Sequence, residues 1–122
     1  MSRPLIGVAG ALGFSAVALG AFGAHGLRDR LGPGMLEVYR TGALYHLVHA
    51  VAAAAVSLGA DRLRRPGLIV TLLALGVVVF SGSLYLLAVT RVTQLGAVTP
   101  LGGLCLLAAW ALIALEGLSR AR

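Results

Sequence analysis

The chain has 122 residues, of which 59% are hydrophobic and only 11% are charged. Soluble domains average roughly 45–50% apolar and about 25% charged residues, and a small domain needs more polar surface than a large one, so this composition excludes a water-soluble globule. The net charge of +6 comes from arginine alone, and the arginines stand in small groups between apolar runs. This arrangement excludes a nucleic-acid-binding face and favours control of membrane topology.

Four apolar runs cover most of the chain, at about 4–24, 41–60, 68–89 and 96–118. Each is close to the ~20 residues that a helix needs to cross ~30 Å of hydrocarbon. Backbone polar groups inside a bilayer must be satisfied within the segment, so each run predicts a helix. The sequence therefore predicts an all-α fold, a four-transmembrane-helix bundle that forms a single integral membrane domain over 1–122.

Small residues recur at three- or four-residue spacing in the first run and open the last one. In membranes, such residues let helix backbones approach closely. The residues that we expect to pack helices in this way are Gly13, Ala16, Gly20, Ala24, Gly102 and Gly103. The same faces are also typical of helix pairing between chains, so a homo-oligomer stays open as an alternative use of them.

The connections between the runs differ in length. The first, 25–40, contains the turn signal Gly32-Pro33-Gly34 and then an amphipathic stretch, which either extends the second helix outward or lies along the membrane interface. The connections at 61–67 and 90–95 are short. Short connections predict that the second, third and fourth helices are successive antiparallel neighbours.

Arginine placement predicts the orientation, because short arginine-rich connections are retained in the cytoplasm. On the side of both termini lie Arg3, Arg62, Arg64, Arg65, Arg120 and Arg122. At the other end lie Arg28, Arg30, Arg40 and Arg91. The bias predicts an N-in/C-in topology.

Polar side chains within the runs are few, and the predicted bounds place them at one level, in the outer half of the bundle. Such residues are costly in a bilayer and often mark functional positions. The candidate polar cluster consists of His25, Tyr45, His46, His49, Ser81, Ser83, Tyr85 and Thr99.

Three interpretations of this cluster stay open. His46 and His49 stand at i and i+3 on one helix, and with His25 they are three imidazoles of the kind that hold zinc, copper or haem, although no carboxylate or cysteine stands close by to complete the set. The side chains are equally suited to hydrogen bonds between helices that set the helix register. The third interpretation is a pocket for a small solute or a lipid headgroup, reached from outside.

Motifs of catalysis are missing from the sequence. There is no Gly-x-Ser-x-Gly elbow, no His-Glu-x-x-His and no phosphate-binding loop that ends in lysine. We therefore expect a protein that is not an enzyme and has no cofactor.

Four stretches nevertheless form a specific pattern: GAFGAHGL at 20–27, TGALYHLVHA at 41–50, FSGSLYLL at 80–87 and LGAVTPLGG at 95–103. Together, in this order, they resemble the YgdD-like family of small membrane proteins, domain-of-unknown-function family 423. The resemblance spans nearly the whole chain and includes every residue of the candidate polar cluster. It implies a small multi-helix protein of the bacterial inner membrane, and the family has no established biochemical activity.

The leading hypothesis is a non-enzymatic structural, accessory or assembly component of the membrane. Its expected partners are the lipid bilayer and either a second copy of the chain or another membrane protein, with no nucleic acid. The alternative is a binding site or transporter for a metal, haem, or a small solute or lipid, built on the histidines of the outer half.

Overall fold

The computed structural model describes residues 3–118, without the side chain of Ala24. Four helices make up the fold: α1 (Arg3–His25), α2 (Pro33–Leu58), α3 (Pro66–Thr90) and α4 (Thr99–Leu118). Short 3₁₀ turns occupy Ala60–Arg62 and Thr93–Ala97, and no strand occurs between residues 3 and 118. All four helical segments are long and apolar enough to cross a membrane. The predicted all-α, four-helix architecture is confirmed.

Helix α2 begins at Pro33, eight residues before the start predicted at 41. Proline is well suited to the first turn of a helix, because its φ is already helical and its missing N–H would have had no partner there. The amphipathic stretch after the turn is therefore an outward extension of α2, the first of its two predicted placements. Tyr39 lies on this extension, buried, and its hydroxyl donates to the Leu19 carbonyl of α1 at 2.6 Å.

Helix α4 begins later than the predicted start at 96. Residues Thr93–Ala97 form a separate 3₁₀ turn, and the α-helix starts at Thr99. The turn follows Arg91, which ends α3 in the left-handed conformation with φ of 61°. A left-handed residue ends a helix, and the short connection that follows lets α3 and α4 lie side by side.

Helices α2 and α3 form the centre of the bundle, with α1 packed mainly on α2 and α4 on α3. The predicted antiparallel neighbours α2, α3 and α4 are confirmed. Ala53, Ile69 and Leu73 are completely buried in the core. The outer helices contact fewer neighbours, so they keep apolar side chains exposed, and Phe14 of α1 has 80% of its surface accessible. Such a surface is suited to lipid rather than water.

The start of α1 and the end of α4 lie at the same end of the bundle, where Leu5, Leu63 and Ile113 pack against the same core. Four arginines and two carboxylates lie at this end within residues 3–118: Arg3, Arg62, Arg64, Arg65, Asp61 and Glu116. The opposite end carries the same number of each: Arg28, Arg30, Arg40, Arg91, Asp29 and Glu37. The arginine bias thus rests on residues 120 and 122, outside the described residues, and the N-in/C-in orientation stays a prediction.

Helices α3 and α4 approach each other closely at Gly102. A Cβ atom at this position would collide with the backbone nitrogen of Phe80. Its neighbour Gly103 has more room, because an added Cβ would lie 3.8 Å from the Phe80 ring. In α1, Ala16 is buried, whereas an added Cβ at Gly13 or Gly20 would meet nothing within 4 Å. The side chain of Ala24, the last residue of that series, lies outside the described residues.

Substitution of these neighbouring glycines tests whether Gly102 is needed for α3 and α4 to pack closely, or is only one of many small residues in the chain. We expect Gly102→Ala to lower the stability of the bundle by about 1–3 kcal/mol, because the methyl group meets backbone that cannot rotate away. Gly103→Ala, the matched control, should leave stability nearly unchanged. Thermal unfolding in detergent measures both, and equal stability of the two variants would contradict the close contact.

Candidate functional site

His46 joins three helices from the middle of α2. It is the fourteenth of the 26 residues of that helix, and only 4% of its surface is exposed. Its Nε2 atom lies 3.0 Å from the Ser15 hydroxyl of α1, and its Nδ1 atom lies 2.8 Å from the Tyr85 hydroxyl of α3. Both ring nitrogens therefore have partners from other helices.

The surrounding groups favour one neutral form of the His46 ring. The Ser15 hydroxyl has a single proton, and it lies 2.9 Å and 3.0 Å from the carbonyls of Ala11 and Leu12. When Ser15 donates to its own helix in this way, it accepts a hydrogen bond from the Nε2–H of His46. The Nδ1 atom is then the acceptor for the Tyr85 hydroxyl. In this arrangement every donor has an acceptor.

Tyr39 extends this group towards the end of the bundle. Its ring packs against that of Tyr85, with the centroids 4.9 Å apart, while its hydroxyl is bonded to the backbone of α1. We call Ser15, Tyr39, His46 and Tyr85 the central polar group. It links α1, α2 and α3 through side chains that sequence spacing alone does not bring together.

His49 makes a separate set of contacts with α4. The indole N–H of Trp110 donates to the Nε2 atom of His49 at 3.0 Å, and the Nδ1 atom lies 2.7 Å from the Tyr45 carbonyl in the preceding turn of α2. An indole nitrogen only donates and a carbonyl only accepts. His49 is therefore neutral with its proton on Nδ1, and it bridges α2 to α4.

Serine and threonine hydroxyls supply two further links between helices. The fully buried Ser81 of α3 donates to the Gly42 carbonyl of α2 at 2.7 Å. The Ser83 hydroxyl lies 2.6 Å from that of Thr99, which joins α3 to α4. An added Cβ at Gly42 would lie 3.2 Å from the Leu84 side chain, so the small residue keeps the two backbones close enough for the Ser81 bond.

The three histidines of the sequence hypothesis are not brought together. His25 is exposed at the end of α1, His46 faces α1 and α3, and His49 faces α4. A separation of three residues leaves two side chains roughly 60° apart around a helix, which is enough to direct them to different neighbours. No group of three or more His, Cys, Asp or Glu side chains in the described part of the chain is placed to hold a metal ion.

The sequence analysis placed the polar residues at one level in the outer half of the bundle. The observed length of α2 shows that this prediction was wrong. Because the helix begins at Pro33, His46 lies at its middle, and His49, the seventeenth of its 26 residues, lies beyond the midpoint. Its partner Trp110 is likewise in the second half of α4. The polar contacts therefore extend through the middle of the bundle instead of gathering at one end.

The sequence reasoning missed three polar partners: Tyr39, in the connection before the second run, and Ser15 and Trp110, within the apolar runs. Ser15 is the one hydroxyl-bearing residue of α1, within an otherwise apolar helix, and Trp110 is the single tryptophan of the chain, in the middle of the last run. Intramembrane polar groups usually find a partner in the protein, which is the signal that could have identified both.

A cavity of about 180 Å³ opens beside His49 on the surface of α2. Leu44, Tyr45, Val48 and His49 line it, and the Tyr45 ring packs against Phe80 with centroids 4.6 Å apart. Because both ring nitrogens of His49 are already bonded, this cavity offers a ligand mainly apolar contact.

Residues 19–103 match the family described as "Protein of unknown function (DUF423)". The chain belongs to this family. The matched range includes Tyr39, His46, His49 and Tyr85, whereas Ser15 and Trp110 lie outside it. The resemblance seen in the sequence motifs is thereby confirmed.

Two relatives have names that agree with the apolar helices. The "UPF0382 membrane protein YwdK" of Bacillus subtilis is 46% identical over 101 residues, which cover 80% of this chain and 82% of the relative. The "UPF0382 inner membrane protein YgdD" of Escherichia coli K12 is 40% identical over 114 residues, 92% of this chain and 87% of the relative. No solved structure matches the chain. With four membrane-spanning helices, this DUF423 member is a multi-pass inner-membrane protein.

Tyrosine substitutions test the central polar group. We expect Tyr85→Phe to lower the free energy of unfolding by about 0.6 kcal/mol and at most about 1.7, because it removes the hydroxyl that bonds His46. Tyr45→Phe is the matched control, since no described side chain or backbone group bonds the Tyr45 hydroxyl, and it should leave stability unchanged. Reversible unfolding in mixed micelles compares the two, and a larger loss for Tyr45→Phe would rule out the assigned contacts.

Proposed function

We propose that this protein is a non-enzymatic structural or accessory component of the membrane, in which the polar side chains hold its own four helices in register. The observation that supports this most directly is the complete use of the two buried imidazoles. His46 and His49 each engage both ring nitrogens, and between them they bond to α1, α3 and α4. A histidine used in this way has no nitrogen left for a metal or a substrate.

The same principle extends to the other buried polar atoms. Within residues 3–118, no buried side-chain nitrogen or oxygen lacks a hydrogen-bond partner. An unsatisfied polar group in hydrocarbon costs several kcal/mol, and a site prepared for a polar ligand commonly leaves such a group for the ligand to satisfy. Complete internal pairing favours a packing role over a ligand site.

The proton arrangement at Ser15 and His46 also favours a non-enzymatic role. A serine acts as a nucleophile when a neighbouring histidine nitrogen accepts its proton. In the tautomer of His46 that its neighbours favour, the Ser15 proton goes to a carbonyl of its own helix and the facing His46 nitrogen is the donor. Ser81 is likewise committed, because its hydroxyl donates to the Gly42 carbonyl. Neither hydroxyl is arranged for attack on a substrate.

An accessory role also requires a surface for contact with other components. The outer sides of α1 and α4 are apolar and exposed over much of their length, as at Phe14 and Leu107. We propose that lipid, and in addition a second copy or another membrane protein, covers these sides. The polar contacts would keep the bundle rigid, so that the outer surface has a constant shape.

Histidine substitution is the experiment that separates the structural role from the ligand-site alternative. We expect His46→Leu and His49→Leu each to lower thermal stability. The first removes the acceptor of the Tyr85 hydroxyl, and the second removes the acceptor of the Trp110 indole N–H. His25→Gln, at the exposed end of α1, is the matched control and should behave like the wild type. Thermal unfolding of protein purified without a histidine tag measures the effect.

Elemental analysis and an absorption spectrum of the same samples complete the experiment. The proposal expects no stoichiometric metal and no haem band in the wild type. The structural role is refuted if His46→Leu and His49→Leu keep full stability while a metal or haem present in the wild type is lost.

A further inference from the structure

A cavity lies at the end of the bundle where α3 begins and α4 ends. Its volume is about 180 Å³. Five residues line it: Arg64, Arg65, Leu112, Leu115 and Glu116. It is separate from the central polar group and from the contacts of His49. It combines two arginines next to the start of α3 with two leucines near the end of α4.

Glu116 gives this cavity its framework. Its Oε2 atom accepts hydrogen bonds from the backbone N–H groups of Arg64 and Arg65, at 2.8 Å and 3.0 Å. Arg65 is the N-cap of α3, so the carboxylate satisfies donors at the start of that helix. The bond ties the connection between α2 and α3 to the end of α4. Because Glu116 occupies the N–H groups of residues 64 and 65, the arginine side chains are the cationic groups of the lining that can receive an external anion.

The lining changes from charged to apolar from the end of the bundle inwards along α4. Arg64 and Arg65 are exposed, Leu112 packs against the core, and Leu115 is 59% exposed on the outer side of α4. Guanidinium groups bind phosphate oxygens in pairs, and leucine side chains suit an acyl chain. One molecule that requires both surfaces in this order is a phospholipid.

We propose that this cavity binds the headgroup of an anionic phospholipid, with the phosphate on Arg64 and Arg65 and the upper acyl chain along Leu112 and Leu115. Basic pockets between transmembrane helices are suited to such headgroups. The cavity is large enough for a phosphate with its glycerol, while the rest of the lipid stays in the bilayer. The lining has two arginines and one carboxylate, so its net charge is positive. The carboxylate charge is also partly offset by the two N–H groups that donate to it.

The test measures lipid binding to the full-length protein by native mass spectrometry from micelles doped with phosphatidylglycerol or phosphatidylcholine. We expect a preference for phosphatidylglycerol that falls about fivefold in Arg64→Gln or Arg65→Gln and about 25-fold in the double variant. The matched control is Arg28→Gln with Arg30→Gln, at the opposite end of the bundle, and it should keep the full preference. Stability in phosphatidylcholine confirms that the variants are folded.

Glu116→Gln gives a prediction of opposite sign. The amide keeps a carbonyl oxygen for the backbone N–H groups but removes the negative charge, so phosphatidylglycerol should bind several-fold more tightly. A free phosphate ester is the competing source of the same chemistry, and soluble glycerol phosphate should compete poorly because it lacks the acyl chain. Equal competition by glycerol phosphate overturns the lipid assignment. Unchanged lipid preference in the folded Arg64/Arg65 double variant overturns the site itself.

Discussion

The need to satisfy every polar group inside hydrocarbon is the constraint on which this bundle depends. Helix formation satisfies the backbone, but each imidazole, hydroxyl and indole still requires a partner. His46 meets that need by bonding to α1 and α3, and His49 meets it by bonding to α4. The hydrogen bonds of two residues of α2 therefore reach all three of the other helices. Apolar contact alone specifies register poorly, because lipid tails and leucine side chains provide similar surroundings.

The hydrogen bonds between helices also require the helix backbones to lie close together. A serine hydroxyl has a short reach, and Ser81 bonds the Gly42 carbonyl because residue 42 has no side chain to separate α2 from α3. Gly102 brings α4 against α3 near Phe80 in the same way, one turn from Thr99 and its contact with Ser83. Small residues and hydroxyls thus act together. At Gly13 and Gly20 of α1 no such contact exists within the described residues, so spacing of small residues alone did not identify the tight interfaces.

The number, type and order of the helices could be predicted from the sequence, because hydrocarbon thickness and backbone satisfaction leave few alternatives for long apolar runs. The start of α2 could not, since the interrupted pattern after Pro33 suits either a helix extension or an interfacial segment. The start of α2 determines how deep His46 and His49 lie along the helix. Because the predicted start was eight residues too late, both histidines were wrongly placed in the outer half. Side-chain partners such as Ser15 and Trp110 depend on helix rotation, which small differences in packing determine and which an apolar pattern leaves open.

The bond between Trp110 and His49 gives the protein an internal optical reporter. Trp110 is the single tryptophan of the chain, and its indole N–H is bonded to the imidazole of His49. Indole emission responds to the bonding and charge of such a neighbour, so the fluorescence of the unlabelled protein follows one defined contact between α2 and α4. Separation of the outer helix α4 from the central helix α2, in micelles or in a bilayer, can therefore be followed without a dye or an added probe.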